Sequence, residues 1–335
     1  MSIPMKEIFS KLGSPVEKIF EDVRGYWKSS VIITSIDLDI FTNISQGSTC
    51  TDLAKKLSLH QDALERLLNS LVNLNLLQKE NNTYFNTYNS SKYLVRNQSS
   101  YIGYVALYHK SRYDVWGKLD RSLKTGKPIA SASFLAPDKN QINNYARAMS
   151  ARAQLEVNDV LERIDLSDCK RLLDLGGAPG TFSVAFAKKY PSLDITVFDL
   201  DTMMEISKEM TQESPNIKLV EGNFDSDPIG SNFCGVFMSQ ILDSLGRKGV
   251  QDLFQKVFAS LKNGGKVIIR DYILQENNTQ SEISMFRSLN VLLTTTIGRL
   301  YNFEDYLNIL KKVGFSAITF MQLPGPTDLI IAKKQ

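Results

Sequence analysis

The chain has 335 residues, enough for two domains with separate apolar cores, and its 39 basic and 36 acidic residues give a net charge of +3. So small a charge excludes a strong field for nucleic acid or anionic membrane. No apolar run reaches the roughly 20 residues of a membrane span, and the first residues, MSIPMKEIFSKLG, lack the apolar core of a secretory signal. We therefore expect a cytoplasmic protein with no nucleic-acid or membrane partner.

The three cysteines, Cys50, Cys169 and Cys234, are scattered along the chain. Their number is odd, and no His or Cys lies near them at the spacing of metal ligands. In the expected compartment thiols stay free. We expect all three to be reduced and structural, and we expect no metal site.

The first predicted element is an amphipathic helix over residues 16–40. Its apolar residues share one stripe at helical spacing: Val16, Ile19, Phe20, Val23, Trp27 and Val31. A stripe of this width buries against another helix. A second copy of the chain is the natural partner, so we expect a homodimer.

Residues 51–77 predict a helix-turn-helix, and Thr83–Thr87 predicts a strand of a wing. A DNA-binding regulator has the same arrangement. Its recognition helix would here offer Asp62, Glu65 and only Arg66 among its early charges, whereas phosphate and base contacts require clustered Arg, Lys or Asn. The leucines of this helix are therefore expected in a core and a dimer face: Leu64, Leu67, Leu68, Leu71 and Leu74.

The segment Tyr101–Leu123 carries aromatic residues at spacings that place several on one helical face. These residues are Tyr104, Tyr108, His109, Tyr113 and Trp116. One interpretation is an ordinary core stripe with a hydrogen-bonded histidine. The other is the wall of a substrate site.

The most informative stretch is RLLDLGGAPGTFSVAFAKKYPSLDITVFDLD, residues 171–201. It predicts a strand, a glycine turn, a helix and a second strand that ends in acid, which is a βαβ unit. A dinucleotide fingerprint, Gly-x-Gly-x-x-Gly, would need its first glycine at the position of Leu175. In addition, Asp174 would repel a pyrophosphate. S-adenosylmethionine fits better, because its cationic end suits Asp174 and its ribose hydroxyls suit Asp199.

Strands and helices continue to alternate after Asp199, which predicts a doubly wound α/β sheet. In order they are a strand at Lys218–Val220, a turn at Glu221–Phe224, a strand at Gly235–Ile241, a helix at Val250–Leu261 ended by Asn263-Gly264-Gly265, and a strand at Lys266–Ile269. A largely apolar helix at Ile283–Arg299 follows the polar loop Gln275–Glu282. A helix at Phe303–Val313 and a hairpin of Ala317–Leu323 with Leu329–Lys333 end the chain.

The order of these elements resembles the class I small-molecule O-methyltransferases that carry an N-terminal winged-helix dimerisation domain. The resemblance spans nearly the whole chain and rests on these segments: GYWKSSVIITSIDLDIF, TDLAKKL, DALERLLNSLVNLNLL, LKTGKP, NNYARAMS, DLGGAPG, FDLD, EGNF, LKNGGKVIIRD, KKVGF and LPGPTDLIIAKK. It implies a dimerisation domain over 1–100, a helical linker and acceptor-site lid over 101–165, and a Rossmann-like domain that binds S-adenosylmethionine over 166–335.

The cofactor-binding residues expected from the turns and the resemblance are Asp174, Gly176, Gly177, Gly180, Asp199, Leu200, Asn223, Phe224, Ser239, Met149 and Tyr145. Phe224 would stack on adenine and Asn223 would hydrogen-bond its edge. In relatives the helix that contains Asn143, Tyr145, Met149 and Arg152 reaches over the methionine end of the cofactor. The acceptor-binding residues expected are Tyr108, Tyr113, Trp116, Asn290 and Thr294.

This chain departs from the family at the catalytic base. Many relatives have a histidine where Asp243 stands, and Asp271 and Leu300 replace two family glutamates. Asp243 is one candidate base, with a pKa raised by burial, and His109 on the lid is another. A third interpretation is an acceptor acidic enough to bind already ionised, and a fourth is a helix N-cap role for Asp243.

We therefore expect an O-methyltransferase acting on a hydroxyl of an apolar aromatic or polyketide-like small molecule, in secondary metabolism. The alternative is a relative that uses bound S-adenosylmethionine electrostatically in pericyclic, hydroxylating or decarboxylating chemistry, without methyl transfer.

Overall fold

The computed structural model describes residues 15–44, 46–130, 138–274 and 282–335. By its internal contacts the chain divides into two units, Met1–Lys110 and Ser111–Gln335. The start of the chain and nearly all of the predicted polar loop after Leu274 lie outside the described residues. The three-part division at residues 100 and 165 stays a prediction.

The first unit is mostly helical. Its helices are α1 (Pro15–Val23), α2 (Gly25–Asp37), α3 (Ile40–Asn43), α4 (Cys50–Leu57), α5 (Gln61–Asn73), α6 (Tyr88–Tyr93) and α7 (Gly103–Lys110), and its strands are β1 (Ser48–Thr49), β2 (Leu77–Glu80) and β3 (Thr83–Asn86). The strands form an antiparallel sheet in the order β1-β3-β2.

The predicted helix-turn-helix and wing are confirmed as α4, α5 and the β2–β3 hairpin. Helix α5 ends at Asn73 rather than at Leu77, because Leu77 begins β2 and pairs with Asn86. Its leucines Leu64, Leu68 and Leu71 are buried in the core of the unit. The helix pair therefore uses its apolar faces for packing.

The predicted helix over residues 16–40 is two successive helices, α1 and α2, which meet at Arg24. Within the first unit the exposed fractions of Ile19, Val23 and Trp27 are 60%, 66% and 53%. The apolar face that the sequence predicts for a partner is thus left uncovered in the single chain.

The second unit is an α/β domain. Its helices are α8 (Tyr113–Trp116), α9 (Leu119–Thr125), α10 (Lys139–Gln154), α11 (Val157–Arg163), α12 (Thr181–Lys189), α13 (Asp201–Thr211), α14 (Arg247–Ser260), α15 (Glu282–Thr294) and α16 (Phe303–Val313). Its strands are β4 (Arg171–Leu175), β5 (Asp194–Asp199), β6 (Ile217–Glu221), β7 (Phe233–Ser239), β8 (Leu261–Asp271), β9 (Ile273–Leu274), β10 (Tyr301–Asn302), β11 (Phe315–Gln322) and β12 (Asp328–Lys334).

Seven of these strands, all within the described residues, form one mixed sheet in the order β11-β12-β8-β7-β4-β5-β6. The strands β8, β7, β4, β5 and β6 pair in parallel. Strand β12 pairs antiparallel with β8, and β11 pairs antiparallel with β12 at the edge of the sheet. Apolar clusters cover both faces: Phe254 of α14 belongs to one cluster and Phe186 of α12 to the other. The predicted doubly wound sheet is confirmed, and such sheets bind ligands at the carboxyl ends of their strands.

Three predicted boundaries are wrong. The aromatic segment after Tyr101 is not one helix, because the chain turns at the buried Arg112 between α7 and α8. The predicted helix before Asn263-Gly264-Gly265 ends at Ser260, and these three residues lie within the irregular start of β8, where Gly264 adopts a φ of +75°. Helix α15 ends at Thr294, five residues before Arg299.

The expectation of three reduced cysteines is also wrong. Cys169 and Cys234 form a disulfide with a Cα–Cα distance of 5.5 Å, whereas Cys50 is free and buried. Cys169 precedes β4 and Cys234 lies in β7, and these two strands are neighbours in the sheet. The two cysteines meet because β4 and β7 are adjacent in the sheet. The spacing of the cysteines along the sequence does not reveal this adjacency.

Among the described residues, no helix combines the length and the apolarity that crossing a bilayer requires.

Candidate active site

A cavity of about 960 Å³ opens in the second unit where the parallel strands end. Its wall includes twelve of the residues predicted from the sequence: Tyr145, Met149, Asp174, Gly176, Gly177, Asp199, Leu200, Asn223, Phe224, Ser239, Asp243 and Thr294. They come from the ends of four neighbouring strands and from α10, the turn after β7 and the end of α15. The fold therefore brings together residues spread over about 150 positions of the sequence.

The glycine turn lets the backbone approach this cavity closely. Gly176 has a φ of +66°, and a Cβ at Gly177 would lie 2.3 Å from Cγ of Asp174. A Cβ at Gly176 would lie 2.5 Å from a methyl carbon of Ile241. Gly180 is not part of the cavity wall; it precedes α12 with a φ of +97°, where other residues are strained. A side chain at Gly176 or Gly177 would overlap Ile241 or Asp174, both of which line the cavity, so glycine is required at these two positions.

Asp174 is 1% exposed at the end of β4. Its Oδ2 accepts a hydrogen bond from Ser183 Oγ at 2.6 Å, and its Oδ1 has no partner among the described residues. Burial raises the pKa of Asp174 to about 7, partly offset by the Ser183 hydrogen bond. An unpartnered buried carboxylate oxygen is costly, and a cationic ligand would satisfy it.

Asp199 ends the neighbouring strand β5. Its carboxylate accepts from the backbone N–H of Ala178 at 3.0 Å and of Leu200 at 2.8 Å. Burial raises its pKa to about 6, against the lowering effect of these two hydrogen bonds. The bonds fix the carboxylate at the cavity wall as an acceptor for hydroxyl donors.

The turn after β6 places Asn223 and Phe224 at the cavity. Asn223 Oδ1 accepts from the N–H of Asp225 at 2.9 Å, and the N–H of Asn223 donates to Asp227 Oδ2 at 2.7 Å. Lys256 Nζ donates to the Phe224 carbonyl at 2.6 Å. The Asn223 oxygen thus holds the turn, and its contact with adenine stays a prediction.

Helix α10 presents Tyr145, Met149 and Arg152 to the cavity on one face, at spacings of four and three residues. Arg152 donates a hydrogen bond to the hydroxyl of Tyr272. No carboxylate of the described residues lies within 4.0 Å of its guanidinium. A cation of this kind is suited to an anionic group of a ligand.

Arg270 was not predicted from the sequence. It lies in β8, is 2% exposed, and forms an ion pair with Glu156 at 2.8 Å. It also donates to Ser239 Oγ at 2.8 Å, and its guanidinium lies 4.9 Å from the ring centre of Phe182. Glu156 is held in turn by the Thr327 hydroxyl. The one signal in the sequence was a charge inside the apolar strand KVIIRD.

Asp243 is not a helix N-cap. It lies in a short 3₁₀ turn, Leu242–Ser244, while Gly246 precedes the first turn of α14. Asp243 is 4% exposed, and its Oδ2 accepts from Nη2 of Arg287 at 2.6 Å and from Nε at 2.8 Å. The position where the family has a histidine therefore holds an ion pair.

Asp271 lies behind this ion pair and is not part of the cavity wall. It is 1% exposed, and it accepts from the N–H of Tyr272 at 2.8 Å and the hydroxyl of Tyr306 at 3.1 Å. Burial, and next the charge of Asp243, raise its pKa to about 7. Leu300, at the other glutamate position, packs in a small apolar cluster with Tyr272.

Other predicted residues lie outside the cavity wall. Trp116 of α8 packs edge-on against Phe286 of α15, with ring centres 6.4 Å apart. Tyr113 begins the same helix α8, and Asn290 accepts a hydrogen bond from Thr294 through its backbone carbonyl. Tyr108 and His109 belong to the first unit. Their roles toward an acceptor stay predictions.

The fold and this cavity define a Rossmann-like α/β protein whose site suits S-adenosylmethionine. The unpartnered Asp174 oxygen suits the ammonium group, Asp199 suits the ribose, and Gly176 and Gly177 form part of the cavity wall between them. The chain belongs to the O-methyltransferase family: the O-methyltransferase domain matches residues 125–316, and the O-methyltransferase dimerisation domain matches residues 20–96. It is an S-adenosylmethionine-dependent O-methyltransferase of small molecules.

Two relatives and one solved structure match this chain over 90% or more of their own length. The tetracenomycin polyketide synthesis 8-O-methyl transferase of Streptomyces glaucescens is 26% identical, over 94% of this chain and 96% of its own. The 3-hydroxy-5-methyl-1-naphthoate 3-O-methyltransferase of Streptomyces sahachiroi is 24% identical, over 90% of each. The crystal structure of human N-acetylserotonin methyltransferase in complex with S-adenosylmethionine has a TM-score of 0.88 at 22% identity, covering 97% of this chain and 99% of its own.

Proposed function

We propose that this O-methyltransferase methylates a hydroxyl of an apolar aromatic or polyketide-like small molecule. The observation that carries the proposal is one continuous cavity in which the cofactor-type residues adjoin a second wall. This second wall, here named the acceptor wall, consists of residues 128–130, 241, 243–245, 287 and 294–297. The names of two relatives, which specify a polyketide and a naphthoate, support the same substrate class.

The first part of the cavity would hold S-adenosylmethionine through charges of opposite sign. Asp174 would accept from its ammonium group, Arg152 would donate to its carboxylate, and Asp199 would accept from both ribose hydroxyls. Phe224 would stack on the adenine. When bound, S-adenosylmethionine supplies an electrophilic methyl group on a positively charged sulfur.

The acceptor wall combines apolar surface with few polar groups, as ligand sites commonly do. Ile129, Ile241, Leu245 and Ile297 contribute aliphatic surface for a ring system. The hydroxyl of Thr294 donates to its own helix at Asn290 O, which keeps its lone pairs available to a donor on the substrate. Orientation of the acceptor against the methyl group would supply much of the rate acceleration, on the order of 7–11 kcal/mol in well-aligned systems.

We expect the protein to form a homodimer that covers the exposed apolar residues of the first unit. The matched dimerisation domain includes the exposed apolar residues Phe20, Val23, Tyr26 and Trp27. Water contact with so large an apolar face is unfavourable, by roughly 25 cal/mol for each Å², and a second copy would remove it. Cytoplasmic location stays a prediction from the sequence.

The test is release of S-adenosylhomocysteine by the purified protein with a panel of hydroxylated naphthalenes, anthraquinones and indoles. Methylated product and S-adenosylhomocysteine in equal amounts are expected. Product without loss of S-adenosylmethionine would instead favour the electrostatic use of the cofactor, and the absence of both across the panel would contradict the proposal.

A further inference from the structure

The acceptor wall offers one carboxylate among its described residues, that of Asp243. Nε and Nη2 of Arg287 both bind the same oxygen of this carboxylate, Oδ2. A base that removes the proton of a hydroxyl must first loosen this two-point contact with a guanidinium. The geometry is better suited to holding a charge than to accepting a proton.

The remaining polar side chains of the acceptor wall are alcohols. The hydroxyls of Ser244, Thr294 and Thr295 donate to backbone carbonyls of Ile241, Asn290 and Val291. Hydroxyls are poor bases at neutral pH and serve better as hydrogen-bonding groups. None of these residues replaces an imidazole.

The titratable and charged groups behind the wall come from four elements, β8, β10, α14 and α16. Strand β8 contributes Asp271, followed by Tyr272, and helix α16 contributes Tyr306, whose hydroxyl donates to Asp271. Around them are Tyr301, which donates to the carbonyl of Leu245, and the ion pair of Arg247 with the half-buried Asp305, at an N···O distance of 2.6 Å. None of these groups belongs to the described cavity wall, so none is placed to take a proton directly from the acceptor.

Tyr272 lies between two of the cavity's guanidinium groups. Arg152 donates to its hydroxyl, and the guanidinium of Arg287 lies 5.9 Å from its ring centre. Within the described residues only Arg287 of this pair has a carboxylate partner, Asp243. Arg152 is the proposed partner of the cofactor's carboxylate, so Arg287, which belongs to the acceptor wall, is the guanidinium that can donate to an anionic acceptor.

We propose that the acceptor binds as an oxyanion and that Arg287 is the residue that holds its oxygen. The inference rests on the proposed function and narrows its substrate class to acidic hydroxyls, such as those of hydroxyquinones and the enols of 1,3-dicarbonyl compounds. Asp243 is then a positioning residue that fixes the guanidinium. Arg287 selects ionised acceptors and disfavours neutral phenols of the same shape.

The step balances without a base on the protein. An electron pair of the oxyanion forms the new O–CH₃ bond, and the pair of the broken S–CH₃ bond returns to sulfur. The negative charge of the acceptor and the positive charge of the sulfonium cancel. No proton is released in the transfer, because it left the acceptor in solution before binding.

The experiment compares two acceptors of equal size and different acidity, 2-hydroxy-1,4-naphthoquinone and 2-naphthol, as kcat/KM for the acceptor against pH, with S-adenosylmethionine kept saturating at every pH. The midpoint of the rising limb is expected to follow the acceptor, and to differ between the two as their own pKa values differ in solution. A midpoint common to both acceptors would mean a base on the protein, and it would overturn the inference.

Arg287→Gln tests the named residue. We expect kcat/KM for the hydroxyquinone to fall about 10- to 100-fold, as loss of a charged contact implies, with partial recovery in Arg287→Lys. Cofactor affinity, measured by calorimetry, is expected to stay unchanged. Arg299→Gln, which removes an exposed guanidinium outside the cavity wall, is the matched control and should retain the activity.

The outcomes distinguish failure of the oxyanion inference from failure of the proposed function. Methylation of 2-naphthol alone, or equal kcat/KM in Arg287→Gln and the parent enzyme, overturns the inference and leaves the proposed function intact. Absence of S-adenosylhomocysteine from every acceptor of the panel overturns both.

Discussion

Nη2 of Arg287 lies 2.6 Å from Oδ2 of Asp243, although the two residues are 44 positions apart in the chain. One comes from helix α15 and the other from the turn after β7. Where many relatives have an imidazole that gains and loses a proton, this protein has two opposite charges that compensate each other. The position therefore holds a fixed ion pair in place of a group that exchanges protons.

Asp243→Asn is expected to lower kcat/KM for methyl transfer and to spare cofactor affinity. The substitution leaves Arg287 without its anionic partner, so the guanidinium is less well placed against the acceptor. Turnover and calorimetric cofactor affinity measured side by side check this. Asp252→Asn, which breaks an exposed pair with Lys248, is the control; an Asp243→Asn enzyme as active as the control would show that the pair has no part in catalysis.

Asp199→Ala is expected to weaken S-adenosylmethionine binding by about 100-fold or more, since two hydrogen bonds to a charged acceptor are worth roughly 1.5–3 kcal/mol each. In the parent protein, affinity should also fall as pH drops through about 6, where Asp199 takes up a proton. Titration calorimetry over a pH series measures both effects. The exposed Asp201, two residues further, provides Asp201→Ala as control, and equal affinity in the two variants would contradict the assignment.

Asp174→Asn is expected to stabilise the ligand-free protein above neutral pH while weakening cofactor binding. The folded protein keeps the Asp174 proton up to about pH 7, whereas the unfolded chain releases it near its usual value of 3.8. The folded state therefore binds more protons in this window, and the free energy of unfolding falls as pH rises through it. Asparagine removes this contribution.

Thermal melts at pH 5 and pH 8 check the Asp174 prediction. The variant should gain a few degrees in Tm over the parent at pH 8 and little at pH 5, in the absence of cofactor. A gain of the same size at both values would mean that packing, and not ionisation, is responsible.

Trp27→Asp is expected to turn a dimer into a monomer. It places a charge in the exposed apolar face of α1 and α2, and burying an unpaired charge in an interface is strongly unfavourable. Sedimentation velocity measures the change. Tyr88→Asp, at a residue 76% exposed on another helix, should remain dimeric, and an unchanged mass for Trp27→Asp would place the interface elsewhere.

Local signals predicted the elements that local chemistry controls. Helix α16 has the predicted bounds Phe303–Val313 because Asn302 and Asp305 form a capping box and Gly314 ends the helix with a φ of +112°. The turn at Gly176 and Gly177 was predictable for the same reason, because its backbone conformation and close packing require glycine.

Contacts between residues far apart in the chain could not be predicted from the sequence. The pairs Asp243–Arg287 and Glu156–Arg270 join elements that meet only when the sheet is assembled. A charge within an apolar strand, such as Arg270, signals that a partner is needed without saying which residue it is. The charges of the acceptor wall depend on the first of these pairs, Asp243–Arg287.

The disulfide between Cys169 and Cys234 closes a loop with a sequence separation of 65 residues. Asp174, Asp199 and Phe224 all lie within this loop. A protease cut at any point between the two cysteines would leave both fragments joined, so the nick would be visible in electrophoresis only after reduction. The covalent connectivity of the cofactor-binding residues is thus independent of an unbroken backbone.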